Sequence, residues 1–77
     1  MNELVHRITV DPAVMTGLPC IRGLRIPVTT VLGLLASGAT QNEVLSEYPD
    51  LETDDLRACM AYGAWRMRER QVELQAA

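Results

Sequence analysis

Few residues in this chain are of the types that do chemistry. His6 is the only histidine, and no serine or cysteine nucleophile lies near it in sequence. The base–nucleophile pairing of covalent catalysis is therefore not in view. Cys20 and Cys59 are the only cysteines. With His6 they could offer three metal ligands, but the paired spacing of a zinc site is missing, and two such cysteines make no disulfide framework. The chain has no lysine, so no glycine loop leads into the Lys of a nucleotide phosphate cradle. No catalytic residue, metal site or cofactor is expected. What remains is charge. Glu43, Glu47, Asp50, Glu52, Asp54 and Asp55 crowd into residues 38–56, where no basic residue occurs. Such a block is either a solvated face over well-capped helix starts or a docking surface whose potential suits a basic partner.

The rest of the composition narrows the field. A chain of 77 residues makes one domain, which at this size buries about 60–65% of its unfolded surface. Its expected stability is about 4–11 kcal/mol. With 48% hydrophobic and 22% charged residues, disorder is not expected. The formal net charge of −3 excludes a nonspecific nucleic-acid coat, which needs a basic surface. Apolar runs are too short for a membrane span, and Met1-Asn2-Glu3 does not open a signal peptide, so a cytoplasmic protein is expected.

Two regions must position the charges, within a single domain spanning residues 1–77. The first, a β arm over about residues 6–28, is rich in Pro and Gly. Ile8-Thr9-Val10 reads as a short strand stopped by Asp11-Pro12. Gly23-Leu24 sits between the arms of Cys20–Ile26 as the centre of a type II′ hairpin, with Arg22 and Arg25 flanking it. The second region, about residues 29–72, reads as three helices followed by a frayed C-terminal tail. Thr29 or Thr30 caps the first, which turns Val31, Leu32 and Leu35 to one face and stops at Gly38. Thr40 and Glu43 form a capping box for the second, which points Val44, Leu45 and Tyr48 inward and ends at Pro49. Thr53 caps the third, with Asp54 and Asp55 in its first turn, and it extends to about residue 72.

At about 100° per residue the third helix has two apolar sectors. Leu56, Met60, Gly63, Ala64 and Met67, with Cys59 at the edge, read as the core stripe. Ala58, Ala61, Tyr62, Trp65 and Val72 lie on the other side. Either the β arm folds over that second face, or Tyr62 and Trp65 anchor a subunit or partner contact with Ala58 and Ala61 beside them.

The run Pro19-Cys20-Ile21-Arg22-Gly23-Leu24-Arg25-Ile26-Pro27-Val28 resembles the domain-of-unknown-function family 433. The resemblance extends upstream through Arg7-Ile8, Asp11-Pro12 and Gly17. Downstream it takes in Gly38, Glu43, Tyr48-Pro49, Leu51, Asp55-Leu56 and Ala58, so that it covers roughly residues 6–70. Leu18 stands where the family often has Lys, Cys20 where it prefers Val, and Leu24 where Thr or Ser is usual. The missing Lys removes one basic group beside the hairpin. The resemblance implies a mainly α, three-helix, homeodomain-like (helix-turn-helix-type) bundle preceded by a short β arm. It also implies an antitoxin-like role in a type II toxin–antitoxin module, with a PIN-like nuclease toxin as partner, and no catalytic residues.

Two functions stand side by side. One is an antitoxin-like interaction protein that binds its toxin, self-associates and has DNA-binding autoregulation open to it. The other is a stand-alone dimeric helix-turn-helix regulator. DNA binding by the lone domain is expected to be weak, because Asp54 and Asp55 open the would-be recognition helix. Arg22 and Arg25 are the better candidate DNA contacts, with salt bridging to Asp11 or the acidic block as their alternative role.

Overall fold

The computed structural model describes residues 3–70, without the side chains of Glu69 and Arg70. Val72, the extension of the third helix to residue 72 and the C-terminal tail lie outside the described residues. The fold is mainly α: three helices, α1 (Val28–Ala36), α2 (Gln41–Glu47) and α3 (Thr53–Arg70), follow a short β arm. No helix among the described residues is long and apolar enough to cross a membrane.

The arm begins with a 3-10 turn, Glu3–Arg7, which feeds β1 (Ile8–Thr9). β1 pairs antiparallel with β2 (Cys20–Ile21), Ile8 opposite Ile21 and Thr9 opposite Cys20. Val10 is exposed and lies beyond the strand expected to include it. The tight turn is shifted one residue from its expected place. Leu24 N–H donates to the Ile21 carbonyl at 2.7 Å, so Arg22 and Gly23 are the central residues. Both have positive φ, 46° and 71°. That is the mark of a type I′ turn, which takes glycine second, rather than the type II′ turn expected with glycine first. Thr9 Oγ1 accepts the Gly23 N–H at 2.9 Å, and the Arg7 carbonyl accepts the Arg22 N–H at 2.7 Å. The turn is thus stitched to β1.

The helix ends show what local sequence can and cannot dictate. Thr40 and Glu43 form both halves of the capping box: Glu43 N–H donates to Thr40 Oγ1 at 3.1 Å, and Thr40 N–H to Glu43 Oε1 at 2.8 Å. α1 ends at Ser37 with Gly38 at φ 105°. Ala39 N–H bonds back to the Leu34 carbonyl and Gly38 N–H to that of Leu35, a Schellman closure that needs the left-handed glycine. At its start, however, α1 is capped by neither Thr29 nor Thr30; Pro27 holds the cap position without a side-chain bond. The Val28 N–H instead reaches the Pro19 carbonyl at 2.9 Å, tying the helix to the arm. Thr53 is likewise the first residue of α3 rather than its cap.

Ile21, Val28, Val31, Val44, Leu51, Leu56 and Cys59 form the core. On α3 the buried face is turned about 100° from the expected stripe. Asp55, Leu56, Ala58 and Cys59 are buried, whereas Met60 and Met67 are 40% and 57% exposed and Ala64 is also exposed. The cause is Asp55, an acid that an amphipathic reading assigns to solvent and the fold buries.

Candidate functional site

Asp55 lies in the first turn of α3 and is completely buried. A lone carboxylate there would be heavily destabilised by desolvation. Two arginines from the arm prevent that. Arg22 grips it side-on, Nε to Oδ1 at 3.0 Å and Nη2 to Oδ2 at 2.8 Å. Arg7 Nη1 adds a bond to Oδ1 at 3.0 Å, and the Glu52 backbone N–H adds one to Oδ2 at 2.7 Å. Burial alone would push the Asp55 carboxyl up; the bonds from Arg22, the Glu52 amide and Arg7 outweigh it and hold the carboxyl below its usual range. Arg7 also binds Glu52 Oε1 at 2.8 Å, and Arg22 Nη2 reaches the Asp50 carbonyl at 2.7 Å. No buried side-chain polar atom among the described residues lacks a partner. Arg22 keeps its left-handed φ of 46° within this anchoring, a conformation that is costly for a non-glycine residue.

The six acids of the block therefore separate into different roles. Asp55 is structural and has no surface to offer a partner. Asp54 pairs with Arg57 at 3.2 Å and Glu52 with Arg7 at 2.8 Å, although Glu52 keeps 64% of its side chain exposed. Glu43 is committed to the capping box, whose Thr40 backbone and hydroxyl bonds lower its pKa. Glu47 and Asp50 are exposed, and their carboxylates have no ion pair or hydrogen bond among the described residues. The acids run as a ridge from α2 into the start of α3, with Glu47 and Asp50 unneutralised among the described residues and the arginine–carboxylate knot at the α3 end.

The other sequence candidates are dispersed. Of the two suggested DNA contacts, Arg22 is consumed by the knot, the salt-bridging role left open for it, while Arg25 is exposed and has no ion pair among the described residues. Ala58 is fully buried, so it cannot belong to an accessible partner face. Ala61, Tyr62 and Trp65 are half-buried, with the Tyr62 and Trp65 rings 5.7 Å apart and tilted. The N-terminal 3-10 turn is the most extensive neighbour of α3, so the arm does fold against this helix. Cys59 is buried beside Asp55; burial first, and the Asp55 charge second, push its thiol up to about 12, which leaves no thiolate for nucleophilic use. Arg7 was missed as a site residue. The available signal was an arginine at the entry to a short apolar strand, in a chain whose acids elsewhere lack local partners.

The family model described as a protein of unknown function (DUF433) matches residues 8–63, a stretch that holds both Arg22 and Asp55. The chain is 31% identical over 55 residues to the uncharacterized protein y4eO of Sinorhizobium fredii (strain NBRC 101917 / NGR234), across 71% of this chain and 25% of that protein. It also resembles the crystal structure of a DUF433 member protein from Anabaena variabilis ATCC 29413, with TM-score 0.76 and 34% identity. That likeness covers 84% of this chain and 64% of the other. This chain thus spans a quarter of the length of the Sinorhizobium protein and under two thirds of the Anabaena chain.

Proposed function

The chain belongs to the DUF433 family, and we propose that it is an antitoxin-like interaction protein whose acidic ridge docks on a basic nuclease of the PIN-like kind. The observation that carries this reading is that Glu47 and Asp50 are exposed and their carboxylates unneutralised among the described residues. A groove that accepts RNA is expected to carry positive charge around its metal-binding acids. Fixed carboxylates can occupy such a groove as phosphates do, and complementary potential speeds the encounter. Regulation by DNA is the weaker companion, because only Arg25 of the hairpin pair is available. Replacing it should flatten the salt dependence of any DNA binding by about one unit.

The test is surface plasmon resonance with a purified PIN-like nuclease at two salt concentrations, its gene sought beside that of this chain. The variant Glu47→Gln/Asp50→Asn/Glu52→Gln should mainly slow association and reduce its salt dependence, as rim charges do. Association left unchanged by that variant would make the ridge a solvated, capped helix face and overturn the reading. Nanomolar binding of the lone chain to random DNA at physiological salt would favour the regulator instead.

A further inference from the structure

The face of α3 turned away from the core is the least settled surface of the molecule. Met60, Ala64 and Met67 recur at helical spacing, so they form one apolar stripe two turns long. All three are exposed, Met67 by 57% and Met60 by 40%. Beside the stripe lies a groove of about 330 Å³ between α3 and the start of α1, walled by Pro19, Val28, Leu32, Tyr62, Gly63 and Met67. Gly63 leaves it open at the base: a Cβ there would stand 3.1 Å from Leu32 Cδ1. Stripe and groove share Met67, so a side chain packed on the one borders the other.

We propose that α3 packs antiparallel against the α3 of a second copy of this chain, across Met60, Ala64 and Met67. Charge selects that occupant and that orientation. The first turn of α3 carries the half-exposed Asp54, which shares its charge with Arg57 of the same chain, while its far end carries the exposed Arg66 and Arg68. Antiparallel pairing brings the Arg68 end of one helix towards the Asp54 end of the other, whereas parallel pairing would set arginines against arginines. The helix dipoles oppose favourably in the same sense. A two-fold axis near Ala64 sets the small Ala64 of the two copies face to face, so that the helices approach closely there, and brings Met67 of one copy over the turn that holds Ala61 of the other. α3 is about 27 Å long, and the stripe runs over two of its turns. A standard interface of about 800 Å² per partner would cover about a seventh of the 5508 Å² surface. The arrangement is closed by symmetry and ends at the dimer. It leaves Glu47 and Asp50 outside the contact, so it stands independently of the nuclease reading.

Sedimentation equilibrium of the whole chain should show a dimer at micromolar concentration that weakens as salt rises. Met67→Glu should raise the dissociation constant at least tenfold while the far-ultraviolet circular dichroism is unchanged, and Arg68→Glu should raise it less. Ala64→Cys should form a disulfide-linked dimer quickly under mild oxidation, since the native Cys20 and Cys59 are buried; Ser46→Cys on the exposed side of α2 should not. A wild-type monomer at high micromolar concentration would overturn the proposal. So would a folded Met67→Glu protein that still dimerises, equal crosslinking of the two cysteine variants, or open-ended assembly. Glu47→Gln/Asp50→Asn should leave dimerisation unaffected, so the dimer and the nuclease reading fail on different variants.

Discussion

The two halves of α3 invert the usual distribution of polar and apolar groups. Its first turn buries a carboxylate completely, and its later turns leave two methionines partly in solvent. What decides burial here is the supply of partners, more than polarity. Asp55 has two guanidinium groups and an amide aimed at it, whereas Met60 and Met67 stay 40% and 57% exposed among the described residues. The anchored half carries the constraints of the fold, and the open half carries unused contact area.

The comparison is broken most directly at Asp55. Removing one member of a buried ion-pair cluster leaves the others uncompensated, at about 3–5 kcal/mol. Asp55→Ala should therefore lower the thermal midpoint by at least about 12 °C, at about 4–8 °C per kcal/mol for a domain of this size. A fall of only a few degrees would mean that Arg7 and Arg22 find equivalent partners in Glu52 and Asp54. Acid tests the same group without mutation. The folded carboxyl is held below its usual value, so between the two values the unfolded chain binds more protons. The stabilisation is then present above the unfolded pKa of about 4 and is lost as the pH falls through the folded one. Urea midpoints should drop on going from neutral pH to pH 3 by more in the wild type than in Asp55→Asn. Equal drops would remove Asp55 as the acid-sensitive group.

Leu56 marks the apolar side of the anchored half. It is fully buried in the core, and Leu56→Ala should cost about 3 kcal/mol through lost burial and an imperfectly closed cavity. Urea titration read by circular dichroism measures it; a change under 1 kcal/mol would mean that the core collapses around the truncation.

This inversion also explains which parts of the molecule were legible in the sequence. The Thr40–Glu43 capping box and the Gly38 stop use residues a few positions apart, and both form as read. The β arm and the three helices were legible for the same reason. The buried stripe of α3 was not, because the partners that neutralise Asp55 come from 33 and 48 residues away. Helical periodicity contains no term for such partners and placed Asp55 on the acidic docking surface. The hairpin slipped by one residue for a related reason: Gly23 suits either position of a tight turn, and the anchoring of Arg22 decides which. The ridge was half legible. Its charge was visible, but not the separation of paired from unpaired carboxylates.

The turn that delivers Arg22 gives a smaller test of the anchored half. Gly23 has φ 71°, and a Cβ built there meets nothing within 4 Å. The cost of Gly23→Val is thus backbone strain alone, about 1–2 kcal/mol for a left-handed non-glycine residue. Differential scanning calorimetry should show a correspondingly lower midpoint. An unchanged midpoint would mean that the turn relaxes to another type without losing the Arg22–Asp55 grip.

The smallest effect is expected at the open end, and it depends on concentration. In an isolated chain Met67 contributes little burial, so Met67→Ala should change stability by no more than about 0.5 kcal/mol, as surface substitutions do. That holds only while the chain is dilute. If a second copy covers the stripe, binding to the folded state alone adds stability that grows with the logarithm of protein concentration. The wild-type thermal midpoint should then rise on going from sub-micromolar to high micromolar protein, and the Met67→Ala midpoint should rise less. Leu56→Ala should lose its stability at both concentrations, because its cavity lies within one chain. Midpoints of wild type and Met67→Ala that stay together at every concentration would make the exposed methionines a permanent feature of the surface. A gap that opens with concentration would make their exposure a property of the lone chain only, and the contrast between the halves of α3 would then be one between contacts made within a chain and contacts made between copies.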